Sequence, residues 1–208
     1  MFEVWNQGSG ILGVDLTRHQ QEQLQQYLQL LQRWNKVYNL TAVRDPKQML
    51  PLHLWDSLSV ARLVQGDSCL DVGSGAGLPG IPLAVLYPER QFTLLDTNGK
   101  KTRFIQQAVL ELGLKNVQVV QQRVEQWRSD SKFAAIISRA FASLADFVTV
   151  SAAHLQDNGV LYAMKGRYPD SEIAELPKGW VLARSHVLDV PGLDAERHLL
   201  ELMRCTHI

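Results

Sequence analysis

Cysteine is scarce in this chain, and the two cysteines stand far apart. Cys69 and Cys205 are the only two among 208 residues, and no group of residues has the spacing of a metal-ligand motif. The sequence therefore argues against a disulfide framework and predicts no metal site, zinc included. Cys69 falls inside a short apolar run, so we expect it to be a small buried side chain.

Charge of one sign and long hydrophobic segments are lacking too. Lys and Arg total 21, as do Asp and Glu, so the formal net charge is zero. This balance argues against nonspecific binding of naked nucleic acid, and any contact with RNA would depend on local patches. No apolar stretch is long enough to span a bilayer and no leader pattern opens the chain, so we expect a cytoplasmic protein with no membrane partner.

The pattern divides the chain into a helical extension, 1–64, and a main domain, 65–208. Its length allows one substantial core with a small appendage. Residues 1–13 mix glycine with polar residues, which predicts a loose tail.

Two helix starts follow the tail. Thr17 with Gln20 predicts a capping box at the head of an amphipathic helix. Asp45 followed by Pro46 predicts a second start, as N-cap and first helical residue, and Pro51 is a candidate break in that second stretch.

From residue 68 onward, short apolar runs alternate with helical segments, which predicts an α/β fold with a mostly parallel, Rossmann-like sheet. The predicted strands are 68–72, 91–96, 117–121, 133–138 and 158–165, and the predicted helices are 79–87, 99–112, 124–128 and 143–155. Two further β-rich segments, 180–190 and 197–204, suit an antiparallel hairpin at one sheet edge.

A glycine-rich turn joins the first predicted strand to the next helix. Gly73, Gly75 and Gly77 follow Asp71 at alternate positions. Glycines allow a tight turn and a close approach of backbone to ligand, and the following helix N-terminus offers free N–H groups. The turn therefore predicts a nucleoside-cofactor site.

Two cofactor classes fit this turn. Residues 75–80 satisfy GxGxxG, the dinucleotide fingerprint, and Asp96 lies 21 residues after Gly75, which keeps a nicotinamide-dependent oxidoreductase open. However, the whole run resembles the D-x-G-x-G-x-G signature of S-adenosylmethionine methyltransferases, whose sheet also ends with an inserted antiparallel strand. In that class Asp71 lies near the methionine end of the cofactor, and Asp96 accepts the ribose hydroxyls. The alternative for Asp96 is a helix N-cap.

Several longer runs carry a more specific resemblance. They are residues 33–41, 53–57, 71–82, 138–142 and 196–199. Together they resemble the bacterial 16S ribosomal RNA guanine-N7 methyltransferase family, also called glucose-inhibited division protein B, along nearly the whole chain. Residues 77–82 and 39–41 are the most diagnostic.

The resemblance implies an enzyme that uses S-adenosylmethionine to methylate N7 of a guanosine in 16S rRNA of the small ribosomal subunit. It implies a class I methyltransferase sheet, and we expect a monomer. It also implies cofactor contacts from Gly73, Leu78, Val124, Glu125 and Arg139, beside those expected of the glycine turn and Asp96.

This chemistry agrees with the residues present. Guanine N7 has an in-plane lone pair and no proton to lose, so orientation and desolvation are needed more than a general base. Arg139, at the end of the fourth strand, could position the cofactor carboxylate or a target phosphate, or form an ordinary ion pair.

Candidate RNA contacts lie in three places. Arg33 and Lys36 flank Trp34 near the end of the first long helix, although Trp34 also fits the apolar stripe. Lys165 stands at the end of the fifth predicted strand, and Arg197 stands at the start of the last one. A run of Lys100, Lys101 and Arg103 is a further patch, or simply a solvated helix face. The competing functions are a small-molecule methyltransferase with a helical lid and a noncatalytic cofactor-sensing or RNA-binding module.

Overall fold

The computed structural model describes residues 2–139 and 141–205, so Ala140, within one of the diagnostic runs, lies outside the described residues. The N-terminal part is built of helices joined by irregular segments. Its elements are α1 Phe2–Leu12, α2 Arg18–Tyr38, α3 Pro46–Met49, a π-helical turn Leu50–Trp55 and α4 Asp56–Leu58. Within the described ranges, no helix has the length and apolar character needed to cross a membrane.

The prediction of a loose tail is wrong for residues 2–12, because α1 is a docked helix, and Met1 lies outside the described residues. The ring of Trp5 is buried and meets that of Trp55 edge-on, with centroids 5.3 Å apart. Gly8 provides the close approach, since a Cβ there would lie 2.5 Å from the Trp55 indole. A glycine that looks like a helix breaker in sequence thus serves helix packing.

Both predicted helix starts are confirmed. Thr17 accepts a hydrogen bond from the Gln20 amide, and the Gln20 side chain accepts one from the Thr17 amide at 2.9 Å. Asp45 caps α3. Pro51 does not end the helical stretch as expected, because the backbone continues through the π-helical turn into α4.

The sheet has seven strands in the order β3-β2-β1-β4-β5-β7-β6. Their bounds are β1 Ser68–Val72, β2 Gln91–Asp96, β3 Val117–Gln121, β4 Phe133–Ser138, β5 Leu155–Lys165, β6 Trp180–Val187 and β7 His198–Arg204. The first five are parallel, and β7 runs antiparallel between β5 and β6. The predicted fold class and the terminal hairpin are confirmed.

Helices follow most of the strands along the chain and pack on the sheet. They are α5 Gly80–Leu86, α6 Gly99–Leu112, α7 Leu144–Ser151 with a 3-10 turn Ala152–His154, and α8 Asp170–Ala174. The helix predicted for 124–128 is wrong, since the backbone there makes only a turn in which Arg123 O accepts from the Gln126 and Trp127 amides. The short α8 was not predicted.

The N-terminal helices share a hydrophobic core with one face of the sheet domain. Leu24 and Leu31 of α2 lie in the same buried cluster as Ile81 and Phe104. The side chain of Gln20 also donates to the carbonyl oxygens of Val85 and Leu86, at the end of α5, at 3.0 Å each. Through these contacts the helical extension packs against the sheet domain. The domain boundary near residue 65 stays a prediction.

Candidate active site

The glycine turn after β1 has the backbone conformation that its sequence predicts. Gly73, Gly75 and Gly77 have φ angles of 70°, 61° and 85°, in the left-handed region that L side chains rarely adopt. The amides of Gly73 and Ser74 donate to the carbonyl of Leu95, which holds the turn at the carboxyl edge of the sheet. Parallel strands commonly place ligand sites at this edge.

Asp96, the last residue of β2, is tied to the turn. One carboxylate oxygen accepts the Gly75 amide and the other accepts the Asn98 amide, each at 2.8 Å. Asn98, not Asp96, caps α6, because its side chain accepts from the Lys100 amide. The N-cap interpretation of Asp96 is therefore wrong, and its position supports a site role.

Asp71 is buried, and one of its two oxygens is satisfied. Oδ2 accepts the Gly80 amide at 2.9 Å, whereas nothing among the described residues bonds to Oδ1. The pKa of Asp71 is raised to about 7, chiefly by burial and slightly by the charge of Asp96, against the opposing effects of the Gly80 amide and Arg139. An orphan carboxylate oxygen of this kind fits a positively charged hydrogen-bond donor on a ligand.

A cavity of about 320 Å³ opens beside the glycine turn, and we call it the loop cavity. It is lined by Val72, Gly73, Leu95, Asp96, Thr97, Lys101, Arg123, Val124, Glu125 and Phe141. Of the residues proposed for the cofactor, it brings together Gly73, Asp96, Val124 and Glu125. Phe141 also lines the cavity, although the sequence gave no indication of a site role for it. Lys101 faces the same cavity, although its run of basic residues predicted a patch for RNA.

Other proposed cofactor residues lie outside that lining. Leu78 is 3% exposed and belongs to the hydrophobic core, where its amide donates to Ser74 O. Gly77 faces the side chain of Ile81, whereas a Cβ on Gly75 would meet only Gly73 O, at 3.9 Å. Gly75 therefore leaves the open side of the turn accessible to a ligand.

A second cavity, of about 330 Å³, lies between the helical extension and the ends of β4 and β5, and we call it the arginine cavity. It is lined by Val43, Leu52, Asp56, Arg139, Met164, Lys165, Gly166, Leu188, Arg197 and His198. It thus collects Arg139 and two of the four proposed RNA contacts, Lys165 and Arg197.

The basic groups of the arginine cavity are held by carboxylates. Arg139 donates to Asp56 at 2.9 Å, and Arg197 donates to the other oxygen of the same carboxylate at 2.9 Å. Lys165 pairs with Glu172 at 2.8 Å. Asp56 belongs to one of the diagnostic runs, but no local sequence signal indicates its role. Its partners Arg139 and Arg197 lie 83 and 141 residues further along the chain.

His53 brings two of the diagnostic runs into contact. Its Nε2 lies 3.0 Å from the Thr41 hydroxyl, and its Nδ1 lies 3.0 Å from the Leu52 carbonyl. Burial, together with the positive charge of Arg139, lowers the pKa of His53 to about 4, so the ring is neutral at physiological pH. A neutral ring donates from Nδ1 and accepts the Thr41 hydroxyl at Nε2, which ties the loop after α2 to the wall of the arginine cavity.

The remaining RNA candidates are not brought into either cavity. Arg33 lies on α2, 3.5 Å from Glu111, with its side chain 66% exposed. Lys36 is exposed on the same helix. Trp34 packs edge-on against Phe104, with centroids 5.7 Å apart, which supports its reading as a core residue. The described residues contain no group of His, Cys, Asp or Glu arranged to hold a metal ion.

The sheet order, the glycine turn and the acid at the end of β2 define the class of this protein as a class I S-adenosylmethionine methyltransferase. The fold is similar to that of a glycopeptide N-methyltransferase solved with S-adenosylmethionine, with TM-score 0.62, 13% identity, and coverage of 74% of this chain and 95% of the other. TrmN from Thermus thermophilus is also similar, with TM-score 0.57, 20% identity, and coverage of 72% and 47%.

Residues 20–200 match the family model of GidB, described as rRNA small subunit methyltransferase G. Two relatives carry the name ribosomal RNA small subunit methyltransferase G. The one from Marinobacter nauticus is 53% identical over 95% of this chain and 92% of its own. The one from Pseudomonas aeruginosa UCBPP-PA14 is 52% identical over 96% and 93%. The chain belongs to the GidB family, and the family resemblance predicted from its motifs is confirmed.

Proposed function

We propose that this protein transfers a methyl group from S-adenosylmethionine to N7 of a guanosine in 16S rRNA of the small ribosomal subunit. The observation that carries the proposal is the loop cavity, which places a left-handed glycine turn, Asp96 and the Val124–Glu125 turn around one space. The names of the relatives support an rRNA substrate.

The residues present fit the cofactor. Asp96 and Glu125 offer carboxylates where a nucleoside has hydroxyl and amino donors, and Phe141 and Val124 supply apolar surface for its base. The open side of Gly75 admits close approach of the ligand, and the unpaired oxygen of Asp71 suits the ammonium of a methionine moiety. Bound S-adenosylmethionine supplies the methyl group as an activated sulfonium.

The protein contributes orientation and exclusion of water. The new N7–carbon bond forms as the sulfur–carbon bond breaks and the sulfur keeps the electron pair, so no proton moves and no base is needed. Strand β4 lies between β5 and β1, the strand that leads into the glycine turn. Arg139 directly follows β4 and lines the arginine cavity. We assign the loop cavity to the cofactor and the arginine cavity to the incoming nucleotide, where Arg139, Lys165 and Arg197 hold the negatively charged chain.

The test uses small ribosomal subunits from a strain that lacks this enzyme. Subunits are incubated with the protein and S-adenosylmethionine, and digested 16S rRNA is mapped by mass spectrometry. We expect one guanosine to gain a methyl group at N7. Methylation of another atom, or of metabolites in the absence of subunits, contradicts the proposal and favours the small-molecule reading. Tight binding of NAD and not of S-adenosylhomocysteine contradicts the cofactor assignment.

A further inference from the structure

Asp56 joins three distant parts of the chain through one carboxylate. It is the first residue of α4, in the helical extension, and its side chain is only 4% exposed. Oδ2 accepts from Arg139 after β4, and Oδ1 accepts from Arg197 just before β7. The side chain of Arg139 is 31% exposed and that of Arg197 is 25% exposed, so the carboxylate is buried while its partners are partly accessible.

The charge of Asp56 runs against the electrostatics of the site around it. The described residues that line the arginine cavity include the cations Arg139, Lys165 and Arg197, beside His198 and the carboxylate of Asp56. Glu172 pairs with Lys165, so three cations face two carboxylates. The cavity therefore attracts an anionic ligand such as a phosphodiester, and a carboxylate inside it weakens that attraction. A carboxylate at this place therefore needs a geometric role that offsets its unfavourable effect on the binding of an anion.

Such a role follows from the geometry of guanidinium groups. A guanidinium presents five N–H donors in a rigid fork, so fixing one edge on a carboxylate fixes the direction of the others. Arg139 is held further by the Leu52 carbonyl at 3.4 Å, and Arg197 by the Glu196 carbonyl at 2.8 Å. Before any ligand arrives, Arg139 thus makes two hydrogen bonds from Nη1, and Arg197 makes one from Nε and one from Nη1. These restraints lower the entropy lost on binding.

We propose that Asp56 is a positioning residue that orients Arg139 and Arg197 toward a phosphodiester of the RNA segment entering the arginine cavity. This inference rests on the proposed function and deepens it. Asp56 makes no contact with the RNA itself and acts through the two arginines.

The variant Asp56→Asn distinguishes a positioning role of Asp56 from a simple effect of its charge, because the two change KM in opposite directions. If only charge matters, removing the carboxylate makes the cavity more positive, and the KM for small subunits falls. If Asp56 positions the arginines, their direction is lost, and we expect KM to rise about tenfold with a smaller change in kcat. An unchanged or lowered KM overturns the proposal.

Salt dependence gives a readout that a purely structural role does not move. Losing an ordered phosphate contact lowers the slope of log affinity for 16S rRNA fragments against log salt by about one for each contact. We expect a smaller slope for Asp56→Asn, and affinity for S-adenosylhomocysteine within about threefold of the parent, since the loop cavity does not include Asp56. A slope equal to the parent's overturns the proposal.

Two further variants keep the experiment decisive. Glu22→Gln removes the carboxylate of an exposed pair with Arg18 and is the matched control, with KM expected to stay at the parent value. If Asp56→Asn does not fold, Asp56→Glu keeps the charge but displaces the oxygens by one methylene, and we again expect KM to rise. Parent KM in Asp56→Glu then overturns the proposal. Absence of parent activity on subunits would instead refute the proposed function.

Discussion

The phenol of Tyr27 donates a hydrogen bond of 2.6 Å to the carbonyl oxygen of Ala76. Tyr27 is a fully buried residue of α2, and Ala76 lies between two glycines of the glycine turn. Burial raises the pKa of this phenol well above its usual range, so it stays a neutral donor at every physiological pH. The helical extension thereby helps to hold the glycine turn, on which the proposed cofactor site depends.

Tyr27→Phe removes this donor and keeps the ring. A buried carbonyl without its partner costs about 1–2 kcal/mol of stability. Because the carbonyl belongs to the glycine turn, we expect affinity for S-adenosylhomocysteine to fall about fivefold, a change of about 1 kcal/mol. Urea unfolding measures the first quantity and isothermal titration calorimetry the second.

Tyr87→Phe is the matched control. The Tyr87 phenol donates to the carbonyl of Ala61 at 3.0 Å, away from the turn. We expect a stability loss of similar size, about 1 kcal/mol, with parent affinity for S-adenosylhomocysteine. Equal affinity in both variants would show that the Tyr27 contact is only structural.

The raised pKa of Asp71 predicts that the stability of the fold depends on pH. The carboxyl titrates near 3.8 ordinarily and near 7 in the fold, chiefly because of burial. Between these values the folded chain holds a proton that the unfolded chain has lost, so stability falls as pH rises from about 4 to about 7. We expect a loss on the order of 1–4 kcal/mol across this window, measured by urea unfolding.

Binding of S-adenosylhomocysteine should show the opposite trend. If its ammonium pairs with ionised Asp71, binding in the acidic range first requires loss of the proton, so affinity rises about tenfold from pH 6 to pH 8. Asp71→Asn should bind more weakly and flatten the profile between these pH values. An unaltered profile in Asp71→Asn assigns the titration to another group.

Gly77→Ala and Gly113→Ala separate backbone strain from close packing. Both glycines have positive φ, 85° and 66°, so alanine strains either position by about 1 kcal/mol. A Cβ at Gly77 would lie 2.7 Å from Ile81 Cγ1, whereas a Cβ at Gly113 meets nothing within 4 Å. We expect Gly113→Ala to lose only stability, and Gly77→Ala to lose more stability together with cofactor affinity. Equal effects of the two substitutions on calorimetric affinity would contradict the role of the turn.

Much of the fold was predictable because its signals are local. The capping box at Thr17 depends on a spacing of three residues, and the alternation of apolar runs places the strands to within a few residues. The glycine turn was predictable for the same reason, since positive φ requires residue types that can be read directly.

The missed features depend on partners far along the chain. Nothing near Asp56 indicates that its carboxylate bridges Arg139 and Arg197, because those pairings exist only after the sheet has formed. The same holds for α1, whose glycines and polar residues give it a loop-like composition. Its helix is stabilised by tertiary packing on Trp55, which outweighs local propensity.

Two glycines of α1 provide a direct test of that packing. Gly8 and Gly10 lie in the same helix, and alanine in a helix interior is favoured over glycine by about 1 kcal/mol. A Cβ at Gly10 meets nothing within 4 Å, so Gly10→Ala should raise the free energy of unfolding by up to about 1 kcal/mol. A Cβ at Gly8 would lie 2.5 Å from Cζ2 and 2.6 Å from Cε2 of the rigid Trp55 indole, so Gly8→Ala should lower it by about 1–3 kcal/mol through overpacking. Tryptophan fluorescence during urea unfolding measures both, and stabilisation by Gly8→Ala would show that α1 does not dock on Trp55.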